Sequence, residues 1–184
     1  MPPQKIYLAG PEVFLSEAAE IGLRKQALCR EFGFVGLYPL DGAIPEGDAR
    51  DEAIYAANIA LIEQADAAIF NLSPFRGVGA DAGTAFELGF FAARAKPAFA
   101  YSNTPEDLFE RVSEAFGAHQ MPAGGWCDAH GFEIEIFDNA DNLMLDCALK
   151  RQGRAVLRPD SKLPLGDLTL FTACLRQAVL KFGL

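Results

Sequence analysis

Two hydrophobic periods alternate along this chain. Short apolar runs of strand length occur at Ile6-Tyr7-Leu8-Ala9, Phe34-Val35-Gly36-Leu37-Tyr38, Asp66 to Leu72, and Ala98-Phe99-Ala100-Tyr101, and glycine or proline punctuates them at Gly10-Pro11, Gly33, Pro39 and Pro97. Between the runs the period is helical. One helix is expected from about Glu17 to Gly33, where Ser16 and Ala19 make only half a capping box but Glu17 and Glu20 suit the positive end of the dipole. A second spans about Arg50 to Ala65, with Ile54, Ala57, Asn58, Leu61 and Ile62 on one face; a third follows the glycine-rich stretch after Leu72 and runs to about Ala95; a fourth covers about Pro105 to Phe116. Strands alternating with helices predict a parallel sheet covered on both faces, with right-handed crossovers. With a short fifth strand at Ala155-Val156-Leu157-Arg158 and a closing amphipathic helix from about Leu165 to Lys181, the expected class is α/β, a flavodoxin-like doubly wound five-stranded parallel sheet.

Two stretches interrupt this rhythm. Asp41 to Asp48 carries two glycines, a proline and three acids, so it reads as a loop long enough to cover a cleft. Residues from about 117 to 153 form an irregular insertion: Ala123-Gly124-Gly125-Trp126 is loop chemistry, Phe132 to Phe137 alternates like an edge strand or hairpin arm, and Asn139 to Leu149 has helical spacing. An insertion of this kind suits a subunit contact or a lid.

The glycine-rich stretch, Phe75-Arg76-Gly77-Val78-Gly79-Ala80-Asp81-Ala82-Gly83-Thr84-Ala85-Phe86-Glu87-Leu88-Gly89-Phe90, lies where a strand hands the chain to a helix, the place where open α/β sheets bind ligands. It holds two acids. Asp81 and Glu87 are six residues apart, about 120° around a helix axis, so both border one cleft only if it wraps the helix end. Glu87 sits among Ala85, Phe86, Leu88, Gly89, Phe90 and Phe91, and a carboxylate in such company is either desolvated, with a raised pKa, or the one wet edge of its helix. In a flavodoxin-like order strands one and three are neighbours, which brings Tyr7, at the end of strand one, within hydrogen-bonding reach of Glu87; the alternative is a core tyrosine whose hydroxyl meets solvent.

Composition narrows the chemistry. The 184 residues, 51% hydrophobic and 22% charged, match one globular domain spanning 1–184. A net charge of -9 with scattered basic residues speaks against nucleic-acid polymers and anionic membranes as partners. Cys29, Cys127, Cys147 and Cys174 are far apart and contain no CxxC, the usage of free thiols in a reducing cytoplasm. There is no secretory pattern at the N-terminus and no apolar run of membrane-spanning length. No phosphate loop is present, and the glycine stretch lacks the last glycine of a dinucleotide fingerprint. His119 and His130 both fall in the insertion, so a serine or cysteine nucleophile has no evident base and a His-rich metal site is excluded by count, although carboxylates alone suffice for magnesium. No cofactor is expected. What remains is carboxylate chemistry: a glutamate that attacks a sugar carbon bearing a good leaving group, as in retaining glycoside transfer.

The residues that carry this chemistry also carry a resemblance. Ile6-Tyr7-Leu8-Ala9-Gly10-Pro11-Glu12-Val13-Phe14, the run from Asp66 through Asn71-Leu72-Ser73-Pro74-Phe75-Arg76-Gly77, Asp81 to Gly89, and Asn142-Leu143-Met144 together resemble the nucleoside 2-deoxyribosyltransferase family, over about Lys5 to Leu145. The resemblance implies that Glu87 is the nucleophile on the anomeric carbon of a 2'-deoxyribonucleoside, that Tyr7 positions it, and that Asp81 lies near the sugar and bears on proton handling. It places Gly10, Phe14, Asn58, Ser73, Arg76 and Gly77 at the substrate, the partners being a 2'-deoxyribonucleoside and a free nucleobase. Asn142 and Met144 match residues that reach a neighbouring subunit's site, which implies a homo-oligomer with shared active sites. Asn58 is a departure: some members have an aspartate there, and an amide can bond a leaving base but cannot protonate it as an acid. The chain also runs about 40 residues past Asn142-Leu143-Met144. Two other readings stay open, a hydrolase of deoxynucleosides or their 5'-monophosphates, for which Arg76 is a candidate phosphate ligand, and a non-catalytic nucleotide-binding module.

Overall fold

The computed structural model describes residues 2–41 and 49–184. Four strands, β1 (Lys5–Ala9), β2 (Val35–Leu37), β3 (Ala67–Asn71) and β4 (Ala98–Tyr101), form a parallel sheet in the order β2-β1-β3-β4. The helices between and after them are α1 (Ala18–Glu31), α2 (Arg50–Gln64), α3 (Ala82–Ala93), α4 (Leu108–Phe116), α5 (Leu143–Lys150) and α6 (Thr169–Phe182). The expected order is therefore present, including the β1–β3 adjacency, with Tyr7 opposite Ala68 in register.

Because strand side chains alternate between faces, β1 divides into two cores. Ile6 and Leu8 join Ile21, Phe34, Ile69, Phe99, Phe171 and Leu175 on the α1/α6 side. Tyr7 and Ala9 join Ile62, Phe70, Leu88, Phe91 and Leu149 on the side of α2, α3 and α5. Helices thus cover both faces, and Tyr7 points to the face that α3 occupies. The first core is dry enough that burial pushes the Cys29 and Cys174 thiols up to about 12, against a smaller opposing pull from Lys25. All four cysteines are free.

The structure corrects several expectations. The sheet has four strands rather than five. Around Leu157 the chain makes only an isolated parallel bridge to Tyr101, through Leu157 N–H to Ala100 O at 2.9 Å and Ser102 N–H to Leu157 O at 2.8 Å. Pro159 lacks the N–H needed to continue the ladder. Phe132 to Phe137 is likewise no strand: one antiparallel bridge, Cys127 to Glu133, links it to a two-residue hairpin of β5 (His119–Gln120) and β6 (Trp126–Cys127). Tyr7 lies mid-strand rather than at its end. Ser16 does not cap α1, because its hydroxyl bonds the Glu17 carboxylate at 2.6 Å. Of the expected covering loop, Asp41 accepts from Tyr38 N and Gln26 Nε2, and residues 42–48 lie outside the described residues.

Candidate active site

Asp81 ends the glycine-rich loop as the N-cap of α3, its Oδ2 accepting Thr84 N–H at 2.9 Å and the Thr84 hydroxyl at 3.0 Å. The capped first turn fixes the phase of α3, and one turn further Glu87 meets the strand. Tyr7 Oη donates to Glu87 Oε1 at 2.6 Å, joining the middle of β1 to α3 across 80 residues of sequence. That bond is short because its acceptor is a carboxylate. Tyr7 itself is fully buried, and burial together with the neighbouring carboxylate holds its phenol far above its ordinary pKa, so it stays a hydrogen-bond donor.

Burial pushes the Glu87 carboxyl up to about 7; the Tyr7 bond pulls it down and the charge of Asp81 pushes it further up. The order of causes matters. Desolvation makes this carboxylate reactive, and the tyrosine keeps it partly ionised near neutrality. Oε1 accepts the Tyr7 bond, and Oε2 makes no hydrogen bond to another described residue.

The other sequence candidates separate into two groups. Phe14, at the end of a one-turn 3₁₀ helix (Pro11–Phe14), is half exposed and stacks on Phe75 with ring centroids 5.1 Å apart and planes 14° apart. Arg76, at φ 55°, lays its guanidinium over both rings, 5.1 Å from Phe14 and 4.7 Å from Phe75. These three make one exposed shelf beside β1 and β3. Gly10 is required by close approach: a Cβ there would lie 2.0 Å from Glu12 Oε2 and 2.7 Å from Asn71 Cβ. Asn58, on α2, is partly buried with its Oδ1 unbonded.

The second group faces elsewhere. Ser73 is buried, its hydroxyl donating to Asn71 Oδ1 at 2.5 Å and accepting Asn103 N–H at 2.8 Å, so its polar capacity is largely committed within the protein. Together with Gly77 it lines a cavity of about 760 Å³ walled by Asn103, Thr104, Arg111 and Lys162, on which neither Tyr7 nor Glu87 borders. Asn142 caps α5, its Oδ1 accepting Met144 N–H at 3.0 Å while its amide donates to Glu135 Oε1 at 2.6 Å. Met144 is 70% exposed.

Three supporting groups were not foreseen from the sequence. Phe75 completes the aromatic shelf. Arg111 of α4 donates to Val78 O, Glu106 O and Ala140 O and pairs with Asp141, while Asp141 also accepts Ala80 N–H at 2.9 Å, tying the loop before Asp81 to the segment before α5. Glu12 and Lys25 form a buried ion pair beneath the Gly10 turn. Phe75 stood inside the quoted motif, whereas nothing local marks Arg111 or Glu12 as buried.

Tyr7 and Glu87 both lie inside the stretch that matches a known family. The family model described as nucleoside 2-deoxyribosyltransferase matches residues 6–144. The chain belongs to this family. A solved 2-desoxiribosyltransferase from Leishmania mexicana is 32% identical and superposes with a TM-score of 0.69, covering 99% of this chain and 100% of that one. A conserved protein from Enterococcus faecalis, 20% identical, shares the fold at a TM-score of 0.55 over 96% of this chain and 99% of its own. An uncharacterized protein of Schizosaccharomyces pombe is 29% identical, with 80% of this chain and 78% of that protein covered. The family is one of pentosyltransferases, which supports a glycosyltransferase here, and no helix among the described residues is long and apolar enough to cross a membrane.

Proposed function

We propose that this protein moves 2-deoxyribose between nucleobases through a covalent glycosyl-enzyme on Glu87, with net retention. The observation that carries the reading is the Tyr7 Oη–Glu87 Oε1 bond at 2.6 Å on a carboxyl raised to about 7. In the first step a Glu87 oxygen bonds the anomeric carbon, the carbon–nitrogen bond breaks, and its electron pair leaves on the base. In the second step a nitrogen of the incoming base bonds the same carbon, the carbon–oxygen bond returns its pair to Glu87, and that nitrogen's proton passes to Asp81 or water. Two inversions give retention. The departing base needs a proton, which Asn58 cannot supply as an acid; Asp81, half-buried at the start of α3, or water delivers it. Phe14 offers a face to the base. Exposed Asn142 and Met144, with Tyr55 and Phe86 exposed on the α2/α3 side, suit a second copy of the chain, so that active sites are shared in a homo-oligomer.

Incubation with 2'-deoxyinosine and adenine is expected to yield 2'-deoxyadenosine and hypoxanthine, followed by chromatography. Hypoxanthine without a new nucleoside would mean that water takes the sugar. A hydrolase acting on 5'-monophosphates has one observation in its favour, the exposed guanidinium of Arg76 on the aromatic shelf; faster turnover of the monophosphate than of the nucleoside, lost in Arg76→Ala, would select it.

Tyr7→Phe is expected to lower the transfer rate roughly 10- to 100-fold, the scale for losing a hydrogen bond of about 1.5–3 kcal/mol to a charged group. It also removes the bond that lowers the Glu87 pKa, so the acid limb of the rate profile moves to higher pH. A lowered rate with an unmoved limb would mean that Tyr7 acts by packing alone.

A further inference from the structure

The most deeply buried charges in the described structure are outside the Tyr7–Glu87 pair. Glu12 is 0% and Lys25 1% exposed, and they pair through Glu12 Oε1. Tyr101 Oη of β4 donates to the same oxygen at 3.1 Å, and Lys25 also stands over the Phe171 ring, 5.2 Å from its centroid. Glu12 Oε2 and Tyr38 Oη are closed off from solvent and have no hydrogen-bond partner among the described residues. A half-satisfied network like this is a poor source of stability: two desolvated charges recover their hydration only with complete bonding, and apolar replacements of similar volume are often neutral or stabilising.

Its position suggests a different role. Glu12 is the second residue of the 3₁₀ turn that begins after Gly10 and ends at Phe14. Its side chain goes inward to α1 and β4, while Phe14, two residues on, goes outward to stack on Phe75 beneath Arg76. The carboxylate is packed so closely against Gly10 that no Cβ fits between them. Anchored at both α1 and β4, the turn has little freedom to roll. We propose that Glu12, held by Lys25 and Tyr101, is a positioning residue that fixes the Gly10–Phe14 turn and thereby the face that Phe14 presents to the nucleobase. This rests on the assignment of the nucleoside to the Tyr7–Glu87 cleft.

The test uses the full chain as Glu12→Gln, Lys25→Met, the double variant Glu12→Gln/Lys25→Met, and Phe14→Ala alone and combined with the double variant. Two readouts are taken: amide hydrogen exchange at residues 10–15 and steady-state kinetics with a 2'-deoxyribonucleoside. In the double variant, which removes both buried charges and spares the fold, exchange at 10–15 is expected to quicken about tenfold or more while that of β3 and α6 is unchanged. KM is expected to rise about tenfold with kcat within about twofold, since a misplaced binding face weakens ground-state contact before it touches the chemistry. The rise is expected to vanish when Phe14 is already alanine. Unchanged exchange at 10–15 overturns the proposal, as does a KM effect that adds in full to that of Phe14→Ala. A parent protein that turns over no nucleoside defeats the functional reading instead, and the exchange data then still decide whether Glu12 fixes the turn. Should Glu12→Gln fail to fold, Lys25→Met and the double variant carry both readouts.

Discussion

Glu87→Gln is expected to abolish transfer, by at least about a thousandfold, and yet to make the protein more stable at pH 8. Loss of a covalent nucleophile removes the reaction path itself, and an amide oxygen is too weak a nucleophile to replace it. The stability effect follows from the raised pKa. Between the usual carboxyl value of 4.5 and the folded value of about 7, the native state holds a proton that the unfolded chain has released. Stability therefore falls as pH rises through that window, and above it the ionised Glu87 opposes folding by roughly 3 kcal/mol, as an order of magnitude. Glutamine keeps the shape and the acceptor for Tyr7 without the charge. At pH 4, where the native carboxyl is already neutral, the two proteins should melt together; at pH 8 the variant should melt higher. Urea titrations at the two pH values measure both arms, and equal destabilisation at both would mean that Glu87 is not desolvated. If the ionised carboxyl attacks as proposed, the same value is expected to put the acid limb of the transfer rate near pH 7.

How much of this was legible follows from where each signal resides. The β1–β3–α3 geometry was readable because its parts are local: Gly10-Pro11 stops a strand, Asp81 begins a helix, and Glu87 stands alone among apolar neighbours. The parallel order put Tyr7 within reach of Glu87 but left a solvent-facing core tyrosine as the alternative, which the bond between them now decides. The missing fifth strand was misread because Ala155 to Leu157 has strand composition, whereas pairing there stops at a bridge for want of a donor at Pro159. Phe132 to Phe137 alternates as a strand would, but its only partner is a hairpin with two residues in each arm. Ser73 looked like a substrate ligand inside its motif; its two hydrogen bonds to Asn71 and Asn103 come from β3 and from the segment after β4, a pairing that only the sheet creates. Glu12, Lys25 and Arg111 escaped notice for a common reason. Charged residues are presumed exposed unless paired, and their oppositely charged partners lie 13 residues away for the Glu12–Lys25 pair and 30 for Arg111–Asp141.

Arg111→Met should cost about 3–5 kcal/mol of folding stability, the scale for breaking a buried pair from one side. Arg111 is 8% exposed and its guanidinium joins three segments, donating to Val78 O at 2.7 Å, Glu106 O at 2.6 Å and Ala140 O at 2.7 Å, and to Asp141 Oδ2 at 3.2 Å. Methionine fills the volume but leaves three carbonyls and a carboxylate without that donor. Asp141 keeps only the backbone N–H groups of Ala80 and Asn142. Its carboxyl is already raised by burial, with Arg111 among the groups that hold it down, so in the variant it rises further. A raised carboxyl opposes folding once ionised, so the deficit should be smaller at pH 4 than at pH 8, whereas loss of packing alone would give the same deficit at both. Adding Asp141→Asn should return part of the loss at pH 8 and little at pH 4. Because Arg111 and Asp141 tie the loop before Asp81 to the start of α5, hydrogen exchange should quicken at residues 78–81 and 140–142 together. Quickening in one segment alone would mean that the two are held independently, and the site would then lack the brace that links the α3 cap to Asn142.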